Sequence, residues 1–275
     1  MPSFIIVTTQ DLPEAYFLAA ALERKEQRIA VVNITGRPLG TKLRVLGRLR
    51  RRRGTPYLAD LLLGRLFRRQ YLPATIVPFP EIDEGVKRRW AVHHCADPHR
   101  PATLRFVRDF DPDYMLLAGT PVLRPELFAL ARCGALNRHL GLLPWYRGSD
   151  CALWTLALDD PGHLGFSIHR VTERVDGGDV LHAEPVPMAP GESLGRYLAR
   201  LQRQGSQAFV GLLERLIAGE PVPAQTQPIG VGHYFPPAGL HALRRARRNF
   251  DRAARTLLER TSPTPAIARP RTASA

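Results

Sequence analysis

"FIIVTTQDLPEAYFLAAALERKEQRIAVVNIT", residues 4–35, is the stretch on which the fold turns. It opens with a run of apolar and β-branched residues, continues over 12–25 in a helical pattern behind a proline, and returns to a β-branched run at Ile29–Thr35. Strand, helix and strand in so short a span make a βαβ unit, whose crossover joins parallel strands. The alternation goes on outward from there. "TIVPF" (75–79), "YMLLAG" (114–119) and "GALNRHL" (134–140) read as further strands, with "PATLRFVRDF" (101–110) and "RPELFALAR" (124–132) as helical intervals. The repetition predicts an α/β fold with a Rossmann-like, mostly parallel sheet. After residue 190, "GESLGRYLARLQRQGSQAFVGLLERLIAGE" has Ser193 as its cap and a long apolar period, which predicts a short helical C-terminal extension of one or two helices. The expected organisation is a main domain over 1–190 with a basic insertion at 42–69, an extension over 191–260, and a tail over 261–275 whose Pro, Ser, Thr and Ala content predicts disorder.

The net charge of +14 is concentrated in two places. Residues 42–69 carry ten basic side chains and one acid, residues 241–260 seven arginines and two acids, and the remaining 22 basic and 22 acidic residues cancel. Charge this local does not define a nucleic-acid-binding fold. In the first segment Leu58, Leu61, Leu62 and Leu66 fall on one helical stripe, so the insertion is expected to pack by its leucines and be solvated by its arginines. Three cysteines, Cys95, Cys133 and Cys151, stand far apart without CxxC spacing, which argues against zinc and for a reducing compartment. Asp11 and Glu14 interrupt the apolar opening, unlike a signal peptide, and no apolar run reaches the roughly 18 residues of a membrane span. The expected location is cytoplasmic. "VTTQDLPEA" after the first strand holds no GxGxxG, and a P-loop lysine is absent, so dinucleotide binding is disfavoured.

Candidate chemistry gathers in two stretches. If Leu136–Leu140 is extended, Asn137 and His139 share one face while Leu136, Arg138 and Leu140 share the other. The pair lies where a strand gives way to a loop, the end at which open α/β sheets bind ligands. Taken alone, a hydrogen-bonded structural pair accounts for it as well as a catalytic one. Further on, "GFSIHRVTERVDGGDVLHAEPVPM" (165–188) has an alternating strand at Phe166–Val171, then Asp176 before Gly177-Gly178, then a second strand. Such a hairpin holds the Asp176 carboxylate beside a pocket, or the residue caps its own turn, the role expected for Asp179. His93, His94 and His99 lack cysteines or an HExxH frame and read as surface loop, with no metal site. Trp90, Tyr146, Trp145 and Trp154 are expected to pack, and Arg147 to anchor its loop.

"LNRHLGLLPWYRG" (136–148), followed by "SIHRVTERVDGGDVL" (167–181) and preceded by "PDYMLLAGTPVLRPELF" (112–128), resembles the 10-formyltetrahydrofolate-dependent formyltransferase family. That family includes glycinamide ribonucleotide formyltransferase, methionyl-tRNA formyltransferase and the sugar N-formyltransferases. The resemblance runs from Asp111 through Glu220 and is only architectural before that. It implies the formyltransferase fold, a one-carbon transferase with 10-formyltetrahydrofolate as co-substrate, and Asn137, His139 and Asp176 as catalytic residues. It also implies that the folate is held near Leu123 and by Thr172, Val175 and Asp176. The chain departs from the family at Arg138, where an apolar residue is usual, and at "LGLLP" (140–144). Arg138 is expected to pair with an acid.

The residue types suit the implied reaction. As a neutral amine attacks a formyl carbon, Asn137 would donate to the growing oxyanion. His139 would do the same or move a proton, and Asp176 would orient His139 and take up the proton shed by the amine. The implied acceptor is a small-molecule amine, foremost a nucleotide-linked amino sugar, or else a biosynthetic amine. Transfer RNA is disfavoured because the sequence ends at residue 275, soon after "GEPVPAQTQP" (219–228), with no room for an appended barrel domain. A homodimer is left open. The rivals are hydrolysis of 10-formyltetrahydrofolate by the same triad, and a noncatalytic basic protein that holds RNA or an anionic surface, against which the sparse aromatic interleaving weighs.

Overall fold

A computed structural model describes residues 1–36, 39–72, 79–228 and 230–261, without the side chains of 39–42, 44 and 260–261. In chain order it contains β1 (Ser3–Thr9), α1 (Pro13–Glu23), β2 (Arg28–Ile34), α2 (Leu39–Tyr71), α3 (Glu84–Lys87), β3 (Val92–Cys95), α4 (Pro101–Phe110), β4 (Tyr114–Ala118) and α5 (Pro125–Phe128). Then come β5 (Ala135–His139), β6 (Tyr146–Gly148), α6 (Cys151–Ala157), β7 (Gly165–Arg170), β8 (Val180–Pro185), α7 (Leu194–Ile217), β9 (His233–Phe235) and α8 (Leu240–Thr261). A seven-stranded sheet runs β3-β2-β1-β4-β5-β7-β8. Its first five strands are parallel, β7 runs antiparallel to β5, and β8 antiparallel to β7. This is the mostly parallel α/β sheet that the βαβ opening predicts.

The central strands are apolar on both faces because helices cover both. Phe4, Ile6, Leu116, Leu136 and Ile168 pack under α1 and α7, and Ile5, Val32, Met115 and Leu117 pack against Val107 of α4 and Leu127 of α5. A third cluster joins α6, α7 and α8, into which α8 sends Ala242, Leu243, Ala246 and Phe250 at helical spacing. Ser193 caps α7 by accepting from the Arg196 N–H at 3.3 Å. The C-terminal part is stitched to the rest: β9 pairs in parallel with β6, and α8 packs on α2 and α6.

Several local readings are corrected. "RPELFALAR" yields a single turn, Pro125–Phe128. The "TIVPF" stretch lies outside the described residues except for Phe79, which is buried in the core, and the tail 262–275 lies outside them altogether. His93 and His94 stand on β3, the edge strand, instead of a surface loop: His93 meets the Thr103 hydroxyl at 3.0 Å and stacks on Phe106. The leucine stripe of the basic insertion does not pack as a stripe. Leu61 is buried, whereas Leu62 and Leu66 are exposed. Gly54, at φ 84°, breaks α2 into two halves, and Pro56 starts the second. That half docks on α8 through Gly64, where a Cβ would lie 2.7 Å from the Leu240 nitrogen, and through Asp60, which accepts from the His241 N–H at 2.9 Å. Backbone proximity, not leucine packing, sets this contact.

Arg138 does find its acid. On the rear face of β5 its guanidinium makes a bidentate pair with Glu14 of α1, both side chains 4% exposed, and Ser206 of α7 donates to the same carboxylate at 3.2 Å. Removing one partner of a buried pair leaves an uncompensated charge, at a cost of about 3–5 kcal/mol, while replacing both with apolar groups is close to neutral. Glu14→Leu should therefore lower unfolding stability by about that amount, and Glu14→Leu with Arg138→Met should regain most of it, as read by urea midpoints. Wild-type stability in the single variant would show that the pair does not hold α1 to β5.

Candidate active site

β5 carries the site because its alternation points Asn137 and His139 away from the Arg138 face. Antiparallel pairing sets His169 of β7 opposite Asn137 and Ser167 opposite His139. The loop after β7 brings Asp176 over this surface. Two glycines make that approach feasible: at Gly178 a Cβ would collide with the Arg170 carbonyl, and at Gly148, φ 100°, with the carbonyl of Phe235. Asp176 itself adopts φ 49°.

Asp176 accepts a hydrogen bond from the Gly148 N–H at 2.8 Å through Oδ2. The same oxygen lies 3.6 Å from Nδ1 of His139, and Oδ1 lies 3.4 Å from Nε2 of His169. Burial raises the pKa of this carboxyl, but the two imidazoles and the Gly148 N–H outweigh it and hold the value at about 2. His139 shifts the other way: burial pushes its pKa below the usual histidine value, against the pull of Asp176. Its ring is fixed by Nε2–H donating to the Tyr146 carbonyl at 2.8 Å, so Nδ1 of the neutral ring presents a lone pair toward Asp176.

His169, which the sequence reading passed over, belongs to the same constellation. Its Nδ1–H donates to the Arg170 carbonyl at 2.8 Å, which leaves Nε2 to accept from the Asn137 amide at 3.1 Å. That bond orients Asn137 and leaves its second amide N–H available to a ligand oxygen. The missed signal was the period of two in "FSIHR", which sets His169 on the Asn137 face once the strands pair.

These groups line one cavity of about 500 Å³, which also exposes Leu117, Val171 and the loop of residues 119–123. All six residues singled out from the sequence lie on its wall: Leu123, Asn137, His139, Thr172, Val175 and Asp176. Glu14, Arg138, Asp150, Gln202 and Tyr234 also line it. Arg147 is buried and donates to Gln227 at 3.2 Å, and Gln227 in turn donates to the carbonyls of Asp176 and Gly178, so Arg147 braces the Asp176 loop. Tyr146 stacks on Phe235 and donates to Asp160 at 2.7 Å, whereas Trp145 is 48% exposed. Among the described residues no group of three His, Cys, Asp or Glu side chains is arranged to hold a metal ion, and no helix is long and apolar enough to cross a membrane.

Residues 86–213, which contain Leu123, Asn137, His139, His169, Thr172, Val175 and Asp176, match the family model described as Formyl transferase. The family resemblance read from the sequence is thereby borne out. A methionyl-tRNA formyltransferase of Chlorobium chlorochromatii is 30% identical over 127 residues, 46% of this chain and 40% of that protein. The chain spans between 40 and 63% of the length of such curated relatives. Among solved structures, the N-formyltransferase of Helicobacter canadensis in complex with folinic acid and dTDP-3-aminofucose superposes with a TM-score of 0.56 at 12% identity, covering 90% of this chain and 81% of that one. Glycinamide ribonucleotide transformylase 1 of Symbiobacterium toebii gives 0.55 at 15% identity, covering 83% and 95%. The fold is the α/β formyltransferase fold.

The folded pKa of Asp176 lies below its unfolded value near 3.9, so its contribution to stability is full above about pH 4 and is lost as pH falls through about 2. Between pH 5 and pH 2, wild type should lose on the order of 2 kcal/mol more than Asp176→Asn in denaturant titrations. Parallel losses in the two proteins would contradict the depressed value.

Proposed function

We propose that the protein is an N-formyltransferase that moves a formyl group from 10-formyltetrahydrofolate to the primary amine of a small molecule. The observation that carries this reading is the convergence of Asn137, His139 and Asp176, with His169 beside them, on the wall of one cavity. The match of residues 86–213 to the formyl transferase family supports it, as do solved neighbours in complex with tetrahydrofolate and with folinic acid. The co-substrate supplies the formyl carbon and the nitrogen that leaves; the loop at Leu123 and the segment from Thr172 to Asp176 would hold it.

The roles follow from the geometry. Asn137, oriented by His169, donates its remaining N–H to the formyl oxygen as negative charge grows there, a contribution of about 3–4 kcal/mol in acyl-transfer sites. Asp176, with a pKa of about 2, is too weak a base to collect the amine proton. Nδ1 of His139 is the better acceptor, since it lies 3.6 Å from the Asp176 carboxylate, which would stabilise the charge it gains. The C–N bond to the acceptor forms, the bond to the donor nitrogen breaks, and the proton passes from the amine through His139 to that nitrogen. Methionyl-tRNA is a second candidate acceptor, favoured by the names of the curated relatives.

Mass spectrometry of amines incubated with the protein and 10-formyltetrahydrofolate tests the reading by the gain of one formyl group. Asn137→Ala should lower kcat about 100- to 1000-fold with the protein still folded. Free formate released at a rate equal to donor consumption, with no formylated amine, would make the protein a hydrolase instead. Because His139 must be neutral to accept a proton and burial lowers its pKa, the acid limb of kcat/KM should lie below pH 6.5. Asp176→Asn removes a group that raises that pKa, so the limb should move still lower, on a reduced plateau. A limb that moves upward in the variant would refute the assignment of His139.

A further inference from the structure

A second cavity, of about 490 Å³, adjoins the first at the carboxyl ends of β1, β2 and β4, and both are walled by Gly119, Thr120 and Pro121. Its outer wall comes from the first half of α2, which turns Leu43, Val45, Leu46 and Leu49 toward the sheet across open space instead of closing on it. Leu43 is 58% exposed there, and Val45, Leu46 and Leu49 are only partly buried. Among the described residues that line this chamber, Arg65 is the one charged side chain. Arg50 to Arg53, in the most basic stretch of α2, are exposed and line neither cavity.

We infer that this chamber receives the body of the acceptor, and that the acceptor is an amine carried on an extended apolar group. The inference rests on the formyltransferase reading of the neighbouring cavity. The shared wall lets an amine reach toward Asn137 and His139 while the rest of the molecule occupies the chamber. A nucleoside diphosphate suits it poorly: at least two phosphate charges would face one arginine among Ile34, Leu43, Val45, Leu46 and Leu49, with Thr9, Gln10 and Thr120 as the polar side chains, and the desolvation of an anion is recovered only by paired charges and hydrogen bonds. An alkyl or aromatic body, in contrast, covers aliphatic surface that the fold leaves partly wet.

Butylamine, hexylamine and octylamine are the probes, used in two assays. In calorimetric titration of the protein alone, affinity should rise about fourfold for each methylene that becomes buried. Leu46→Gln and Leu49→Gln should each weaken octylamine at least tenfold while leaving butylamine within about twofold and the Kd for tetrahydrofolate unchanged. Unchanged thermal midpoints guard against unfolding of these partly buried positions. In formyl transfer from 10-formyltetrahydrofolate, kcat/KM should climb over the same series and exceed that for dTDP-3-aminofucose and for methionyl-tRNA. Affinity independent of chain length, octylamine binding indifferent to both variants, or a higher kcat/KM for either polar acceptor would overturn the inference. The formyltransferase reading fails separately: no amine of any kind is formylated although octylamine still binds more tightly than butylamine and loses that advantage in Leu46→Gln.

Discussion

The site hangs on one buried carboxylate. Asp176 is reached by an N–H from β6 and by imidazoles from β5 and β7, so three strands and the hairpin loop are drawn to a single pair of oxygen atoms. A carboxylate in such a place is tolerable only if it is charge-compensated and hydrogen-bonded. The backbone bends to provide this: Gly148 and Gly178 make approaches that a Cβ would block, Asp176 adopts a left-handed conformation, and Arg147 with Gln227 secures the loop from behind. The groups that surround the carboxylate are also the groups of the chemistry. The imidazoles that lower the Asp176 pKa are the groups that stand ready to handle a proton or to aim an amide.

β5 serves both faces of the sheet at once. Asn137 and His139 look into the cavity, and between them Arg138 reaches back to Glu14 and Ser206. A buried pair adds little net stability compared with apolar packing, but it discriminates strongly among positions of its partners. Here the partners lie on α1, β5 and α7. A shift of β5 by one residue would turn Arg138 into the cavity and Asn137 into the helices, so the pair fixes the register on which the site depends.

Much of this was legible in the sequence because it rests on period and spacing. The βαβ opening, the two faces of residues 136–140, and the Asp-Gly-Gly turn all follow from local patterns with few competing readings. His169 was not legible, although its strand was, because its importance depends on which residue β7 places opposite Asn137. The leucines of α2 misled for the opposite reason. Their helical period is genuine, but Gly54 resets the helix between its halves, and the second half docks through Gly64 and Asp60, a glycine and an acid that carry no hydrophobic signal. His93 and His94 likewise looked like loop because an edge strand of four residues offers little pattern.

The arginine-rich segments 42–69 and 241–260 are far apart in sequence but meet where α2 packs on α8. Leu243, Ala246 and Phe250 take the inner face of α8, so Arg244, Arg245, Arg248, Arg252 and Arg255 are exposed, with Arg244 donating to the Tyr71 hydroxyl at the end of α2. These side chains line neither cavity, whereas Arg65 of the first segment lines the second cavity and Arg68 pairs at 3.2 Å with Asp150 on the wall of the first. Exposed charge of this kind is screened within about 8–10 Å at physiological salt. What it sets is the potential met by whatever approaches this side of the molecule, an effect on encounter rate and its salt dependence.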